Sequence, residues 1–319
     1  MKFWALIFVL CCQPLSAKVW ALESAAEQFP ALELTNTHVH QLPASNSDRQ
    51  YEVWVDLPAS YGKSAKKLPV LFVTDANYAF PLIRSIRNRL GANGQNIEDF
   101  VIVGLSYAKG YTPINSRSFD YTPTDVLARP KKPGESYGGD AYGGSALYIE
   151  YLRQQVIPFV LKNYQVDPKR KVFVGHSYGG LLGAELVLRH PDSFDSYIIS
   201  SPSLWFDKKH LLKLAQERSK KSPAINATVL LYAAEFEQIK PGARYSKEVD
   251  IVADLFKFEQ LLKASTTPMA KAKTQAIAPQ GLQIKSKIIA DEDHLSVFPS
   301  MISRALVELL PGYGPYTPG

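Results

Sequence analysis

The segment VFVGHSYGGLLGAELVLRHP, residues 172–191, decides the reading of this chain. Its apolar start has the composition of a buried strand, and from Tyr178 to Arg189 the apolar spacing is helical, so Gly175-His176-Ser177-Tyr178-Gly179 falls on the turn between them. A serine hydroxyl is a weak nucleophile unless its oxygen is held clear of the sheet, beside a base and close to oriented N–H groups. A sharp strand-to-helix turn does this by forcing strained backbone angles on the serine. That turn closes only when the residues two before and two after carry no bulky side chain. Gly175 and Gly179 meet the requirement, and Ser177 is the candidate nucleophile.

Outward from this turn the chain alternates. Residues 51–57, 70–74, 100–105, 171–174, 197–200 and 228–232 are short runs rich in β-branched and aromatic residues and read as strands. Residues 144–164, 178–189 and 249–263 have helical spacing, with Pro158 expected to kink the first. Such alternation, with several strands almost wholly apolar, implies an α/β fold: a mostly parallel central sheet with helices on both faces. The stretch 108–144, crowded with Gly, Pro, Tyr and Ser, reads as an irregular loop or cap, and irregular segments of that length are usually functional or disordered.

Serine hydrolases built on this turn carry nucleophile, acid and histidine in that chain order, and of the six histidines only His294 lies late enough. It follows the strand-like run 284–290. His176 sits inside the turn and His190 at a helix end; His38 and His40 alternate on a strand as surface or packing residues, and His210 reads as a surface residue. Asp291 and Asp293 flank His294 without a second nearby histidine, so a metal site is not indicated. For the acid, two glutamates compete in the loop after residues 228–232. Glu237, deeper in the loop, is preferred to Glu235, with Asp250 third. The oxyanion donors would be the N–H of Tyr178 and, from the loop after residues 70–74, that of Ala76 or Asn77, with Asp75 as an anchor of that loop.

Composition sets the outer bounds. The 319 residues are 46% hydrophobic and 21% charged, an ordinary globular balance. Lys2, the apolar run 3–11 and the small residues Ser16, Ala17 and Ala21 have the layout of a secretory signal, with the cut expected after Ala21 and Ala17 as the alternative. The expected organisation is therefore a signal peptide at 1–21 and a single domain at 22–319, periplasmic or secreted, with no membrane insertion after cleavage. Cys11 and Cys12 both fall in the signal run, so the mature chain would hold together without disulfides. With 36 basic and 30 acidic residues the formal charge is +6. The basic residues are dispersed, which argues against a nucleic-acid partner.

The stretches PVLFVTDANYAF, VIVGLSYA, NSRSFDYTPT, the elbow run itself with SPSLWFD, LYAAEFEQ and DEDHLSVFP resemble, in order and spacing, the esterase D-like branch of the α/β-hydrolases. That branch includes periplasmic esterases that cut catecholate siderophores. The resemblance covers most of the chain from Tyr51 onward and implies an α/β-hydrolase fold, Ser177 as nucleophile, His294 as base, and no metal or organic cofactor. Relatives often place a glycine before the acid, where this chain has Ala234. The implied substrates are small-molecule esters: the trilactone of a catecholate siderophore such as ferric enterobactin, or a short-chain acyl ester or thioester, with acyl transfer as a variant. Arg117 and Trp205, in the stretches that carry the resemblance most specifically, are the candidate substrate contacts. For Arg117 the competing expectation is a pairing with Asp120 that braces the loop. A non-catalytic binding module on the same scaffold is the alternative from another class.

Overall fold

The computed structural model describes residues 33–91, 95–128, 130, 138–218, 225–265 and 281–314. The expected signal segment lies outside these residues, as do Arg129, Lys131, Lys132 and Tyr137 of the irregular stretch.

Strands β1 (Thr37–Gln41), β2 (Glu52–Asp56), β3 (Leu68–Val73), β4 (Val101–Leu105), β5 (Val166–His176), β6 (Ser196–Ser200), β7 (Thr228–Ala234) and β8 (Gln283–Ile289) form one sheet. Their order is β1-β2-β4-β3-β5-β6-β7-β8. The pairs β1–β2 and β2–β4 are antiparallel and all the others parallel. This is the mostly parallel sheet that the alternating pattern implies, with an antiparallel edge.

Helices α1 (Ala76–Leu90), α2 (Pro113–Asp120), α3 (Ser145–Tyr151), α4 (Ile157–Asn163), α5 (Tyr178–Arg189), α6 (Phe206–Arg218), α7 (Ile251–Ala264) and α8 (Val297–Leu309) connect and cover the strands. Alternate residues of each central strand point to opposite faces. Phe173, Ile199 and Leu231 pack with Leu182 of α5 and Leu255 and Phe258 of α7. Val174, Ile198 and Leu230 are buried on the other face, where α8 lies against β6 and β7 and also meets α1. A Leu, Ile or Phe side chain buried there contributes about 1.5–3 kcal/mol, which suits a core that relies on burial.

Three details add to the sequence reading or differ from it. The helical run expected to kink at Pro158 is interrupted just before that residue. A π segment, Leu152–Val156, joins α3 to α4, and its wider turn lets the Ile157 N–H reach the Leu152 carbonyl just before the residue that has no N–H to offer. The irregular stretch contains α2, whose start is capped by the Thr112 side chain accepting from the Asn115 N–H. Arg117, on α2, does not pair with Asp120: that carboxylate is buried against Arg49 and Tyr51. Arg117 reaches Asp75 instead.

At β3 the sheet order turns, with β4 on one side and β5 on the other. The carboxyl ends of strands at such a switch point open the crevice where α/β proteins place their sites. Asp75 and Ser177 both lie there.

Candidate active site

Ser177 stands between the end of β5 and the start of α5 with φ 59° and ψ −117°, a region that disfavours side chains. Its backbone is held on both sides. The Ser177 N–H donates to the Ser200 carbonyl at 3.0 Å, and its carbonyl accepts from the N–H groups of Leu181 and Ser203 at 2.9 and 3.2 Å. A β-carbon on Gly175 would fall on the Gly179 carbonyl, and one on Gly179 would fall on Thr74 Oγ1. At both positions a larger residue would force its neighbours to shift.

His294 arrives from the loop between β8 and α8. The Asp293 carboxylate accepts from the N–H groups of Leu295 and Ser296, while Ser296 Oγ accepts from the Asp293 N–H, which fixes the entry to α8. These backbone hydrogen bonds hold the Asp293 carboxyl below its ordinary range. The His294 ring lies against that of His176, with centroids 4.7 Å apart. His176 is buried, and burial, reinforced by the nearby His294 and Arg117, pulls its pKa down to about 3. A neutral imidazole thus backs His294 at any working pH.

His294 Nε2 is 3.0 Å from Ser177 Oγ, and its Nδ1 is 2.5 Å from Glu237 Oε1. Glu237 closes a short 3₁₀ turn, Glu235–Glu237, directly after β7. Its second oxygen accepts from the Ser201 hydroxyl and the Ala234 N–H, both at 2.7 Å. Ala234 is extended, and its N–H anchors the carboxylate. Glu235 points elsewhere: it accepts from Tyr245 Oη at 2.9 Å and from the Asp291 N–H at 3.0 Å, contacts that lower its pKa. With the Phe236 N–H on the Glu292 carbonyl it braces the loop that carries His294. Asp250 caps α7 through the Ala253 N–H.

Tyr178, the first residue of α5, and Ala76 and Asn77, the first two of α1, open helices at neighbouring strand ends. Backbone N–H groups in a first helical turn have no partner within the helix. Ala76 is buried and Asn77 exposed. Among the described residues no three His, Cys, Asp or Glu side chains gather as a metal-binding group.

Residues 44–233, more than half of the chain, match the Esterase family model, described as "Putative esterase". The chain belongs to this esterase family. It is a serine ester hydrolase on an α/β-hydrolase fold. The ferri-bacillibactin esterase BesA of Bacillus subtilis is 27% identical over 293 residues, covering 90% of this chain and 93% of its own. The siderophore triacetylfusarinine C esterase of Aspergillus fumigatus is 28% identical over 249 residues, covering 75% and 80%. Among solved structures, the BES protein from Bacillus cereus superposes with a TM-score of 0.70 at 20% identity, covering 89% of this chain and 99% of that one.

Beside the elbow of this esterase, Arg117 lies over the Tyr178 ring at 5.2 Å, and the Tyr178 and Trp205 rings are 6.4 Å apart. Arg117 is also tied to Asp75, with its side chain 18% exposed. Trp205 leads into α6, whose start is a left-handed turn: Asp207, Lys208 and Lys209 all have positive φ. Thr124 Oγ1 donates to Asp207 at 2.7 Å and links this turn to the irregular stretch. Four contributors escaped the sequence reading: Ser201 and the Ala234 N–H beneath Glu237, His176 behind His294, and Tyr107, whose hydroxyl donates to Asp75 at 2.8 Å. Only His176 carried a signal, its place inside the elbow motif.

Proposed function

We propose that this chain is an exported serine esterase that works through an acyl-enzyme, with residues 1–21 as signal peptide and 22–319 as the mature domain. The Ser177–His294–Glu237 hydrogen-bonded series carries the reading. Ser177 Oγ attacks the ester carbonyl while His294 Nε2 takes its proton, and Glu237 holds Nδ1–H so that Nε2 faces the serine as an acceptor. The tetrahedral oxyanion is met by the N–H of Tyr178 and that of Ala76 or Asn77. His294 returns the proton to the departing alcohol, and a water repeats the sequence on the acyl-enzyme, releasing the acid and restoring the serine.

The names of the two relatives support a siderophore ester as substrate, and we extend this to the trilactone backbone of a catecholate siderophore. Flat catechol rings suit the faces of Tyr178 and Trp205, and the outer edge of Arg117 suits their negative charge. No helix among the described residues is long and apolar enough to cross a membrane.

The test is a fluorophosphonate probe with peptide mapping, followed by a panel of ferric trilactone, iron-free trilactone and neutral short-chain esters. Labelling at Ser177 with trilactone cleavage is expected. Absence of labelling in folded protein leaves a binding module. Turnover of short esters alone, or transfer of the acyl group to an added alcohol, moves the function to those alternatives.

A further inference from the structure

We propose that Asp75, clamped by Arg117 and Tyr107, is a positioning residue that fixes the two halves of the oxyanion hole against each other. This rests on the reading above that Tyr178 and Ala76 or Asn77 supply the donors.

Asp75 stands between β3 and Ala76, 1% exposed, in a left-handed conformation with φ 54° and ψ 45°. For a residue other than glycine that conformation is disfavoured, and it persists only where its surroundings hold it. Asp75 Oδ1 accepts from Tyr107 Oη at 2.8 Å and from Arg117 Nε at 3.0 Å, and Oδ2 lies 3.5 Å from Arg117 Nη2. On its other side, a β-carbon on Gly179 would stand 3.1 Å from Asp75 Oδ2. The carboxylate is therefore packed against the first turn of α5, one residue past Tyr178. A single buried group touches both segments that carry the donors, and any rotation of Asp75 turns the N–H groups of Ala76 and Asn77 with it.

The pairing also answers an electrostatic problem. A bare carboxylate beside the hole would oppose the negative charge that grows on the substrate oxygen. Burial alone would favour a neutral guanidine, but the charge and hydrogen bonds of Asp75 more than offset it and keep Arg117 protonated. Arg117 thus assists every ester, charged or neutral. A cation that only reads the substrate would assist anionic esters alone.

The experiment compares Asp75→Asn, Arg117→Met, Tyr107→Phe and the Asp75→Asn/Arg117→Met double variant on a neutral short-chain nitrophenyl ester. It reads kcat and KM, and inhibition by a trifluoromethyl ketone, which forms an oxyanion in the hole, against inhibition by the product acid, which does not. Asp75→Asn should lower kcat about 10- to 100-fold with KM within about threefold, and weaken the ketone in parallel while leaving the acid unchanged. Arg117→Met, which leaves the carboxylate bare, should be about tenfold worse than Asp75→Asn, and the double variant should recover at least about fivefold over Arg117→Met. Where Arg117→Met does not fold, Tyr107→Phe decides, with about a three- to tenfold kcat loss and the same ketone signature. An Asp75→Asn enzyme within twofold of wild type, additive losses in the double variant, or equal weakening of ketone and acid overturns the inference. A wild-type protein that neither cleaves the ester nor takes the fluorophosphonate overturns the reading of the site itself, before any variant is compared.

Discussion

Replacing Glu237 by glutamine separates the electrostatic role of the acid from its role in packing. One carboxylate oxygen accepts from two fixed donors, the Ser201 hydroxyl and the Ala234 N–H, and the other faces His294 Nδ1. A glutamine of the same shape has one acceptor and one donor end. The Ala234 N–H can only donate, so the amide oxygen must take the Ser201 side and the NH₂ must point at His294. The imidazole is then driven to the tautomer with its proton on Nε2, aimed at Ser177 Oγ as a donor when a base is needed. The expected loss in kcat is about 10⁴-fold, or about 5.5 kcal/mol. Stability should stay within about 1 kcal/mol of wild type, since both buried donors keep an acceptor. Glu237→Ala reverses the balance: it strands those donors at about 1–3 kcal/mol each and lowers Tm. The assay is steady-state turnover of a soluble ester beside thermal unfolding of both variants. A Glu237→Gln enzyme with normal Tm that keeps more than about a tenth of wild-type kcat would refute the reasoning and leave Ser177 and His294 working as a pair.

Ser177→Ala should fold normally and lose about 10⁶-fold in turnover, whereas Ser177→Gly, inactive too, should melt higher than Ser177→Ala because glycine relaxes the φ of 59° at about 1 kcal/mol. A lower melting point for the glycine variant contradicts the strain argument. His176, held near pKa 3 when folded and near 6.5 when unfolded, binds its proton more readily in the unfolded chain, so its contribution is complete above pH 6.5 and is lost as pH falls toward 3. Urea unfolding at pH 7, 5.5 and 4.5 should show wild type losing up to about 1.4 kcal/mol per unit below pH 6.5 from this group, a slope that His176→Asn removes; parallel slopes count against it. Gly179→Ala, whose methyl falls on Thr74 Oγ1, should cost about 1–3 kcal/mol and depress turnover, and an unchanged Tm would show that the elbow has room.

What was legible in the sequence is what repeats or is locally constrained. The apolar runs of β3, β4 and β6 and the glycines of the elbow each leave a local signature, and chain order singled out His294. Helix α2 was not legible, because Pro113 and the polar residues around Arg117 mask its period, and its start depends on one cap at Thr112. The π segment was not legible either, since from sequence alone Pro158 reads only as a kink and gives no sign of the wider turn before it. The choice between Glu235 and Glu237 turns on a three-residue 3₁₀ turn whose direction is set by the backbone of residues 291 and 292, more than fifty positions away. The competing expectation for Arg117, a pairing with Asp120, is overturned by distant residues: Asp120 is its neighbour along the helix, but buried Arg49 and Tyr51 claim that carboxylate.

The order of strands has a consequence for how activity is acquired. The elbow is built from adjacent pieces of chain, β5 and α5, whereas His294 follows β8, which among the described residues stands at the sheet edge beside β7. Ser177 and His294 are 117 residues apart in sequence. β8 reaches its place by pairing with β7, Thr228 opposite Gln283, and parallel pairing over so long a stretch of intervening chain is slow, because the loop must close before any contact compensates for the lost freedom. Turnover is therefore a clock for the last docking event. On dilution from denaturant the helical signal of α5 and α7 should recover first and ester cleavage should lag behind it, and a nascent chain still lacking β8 should show no turnover.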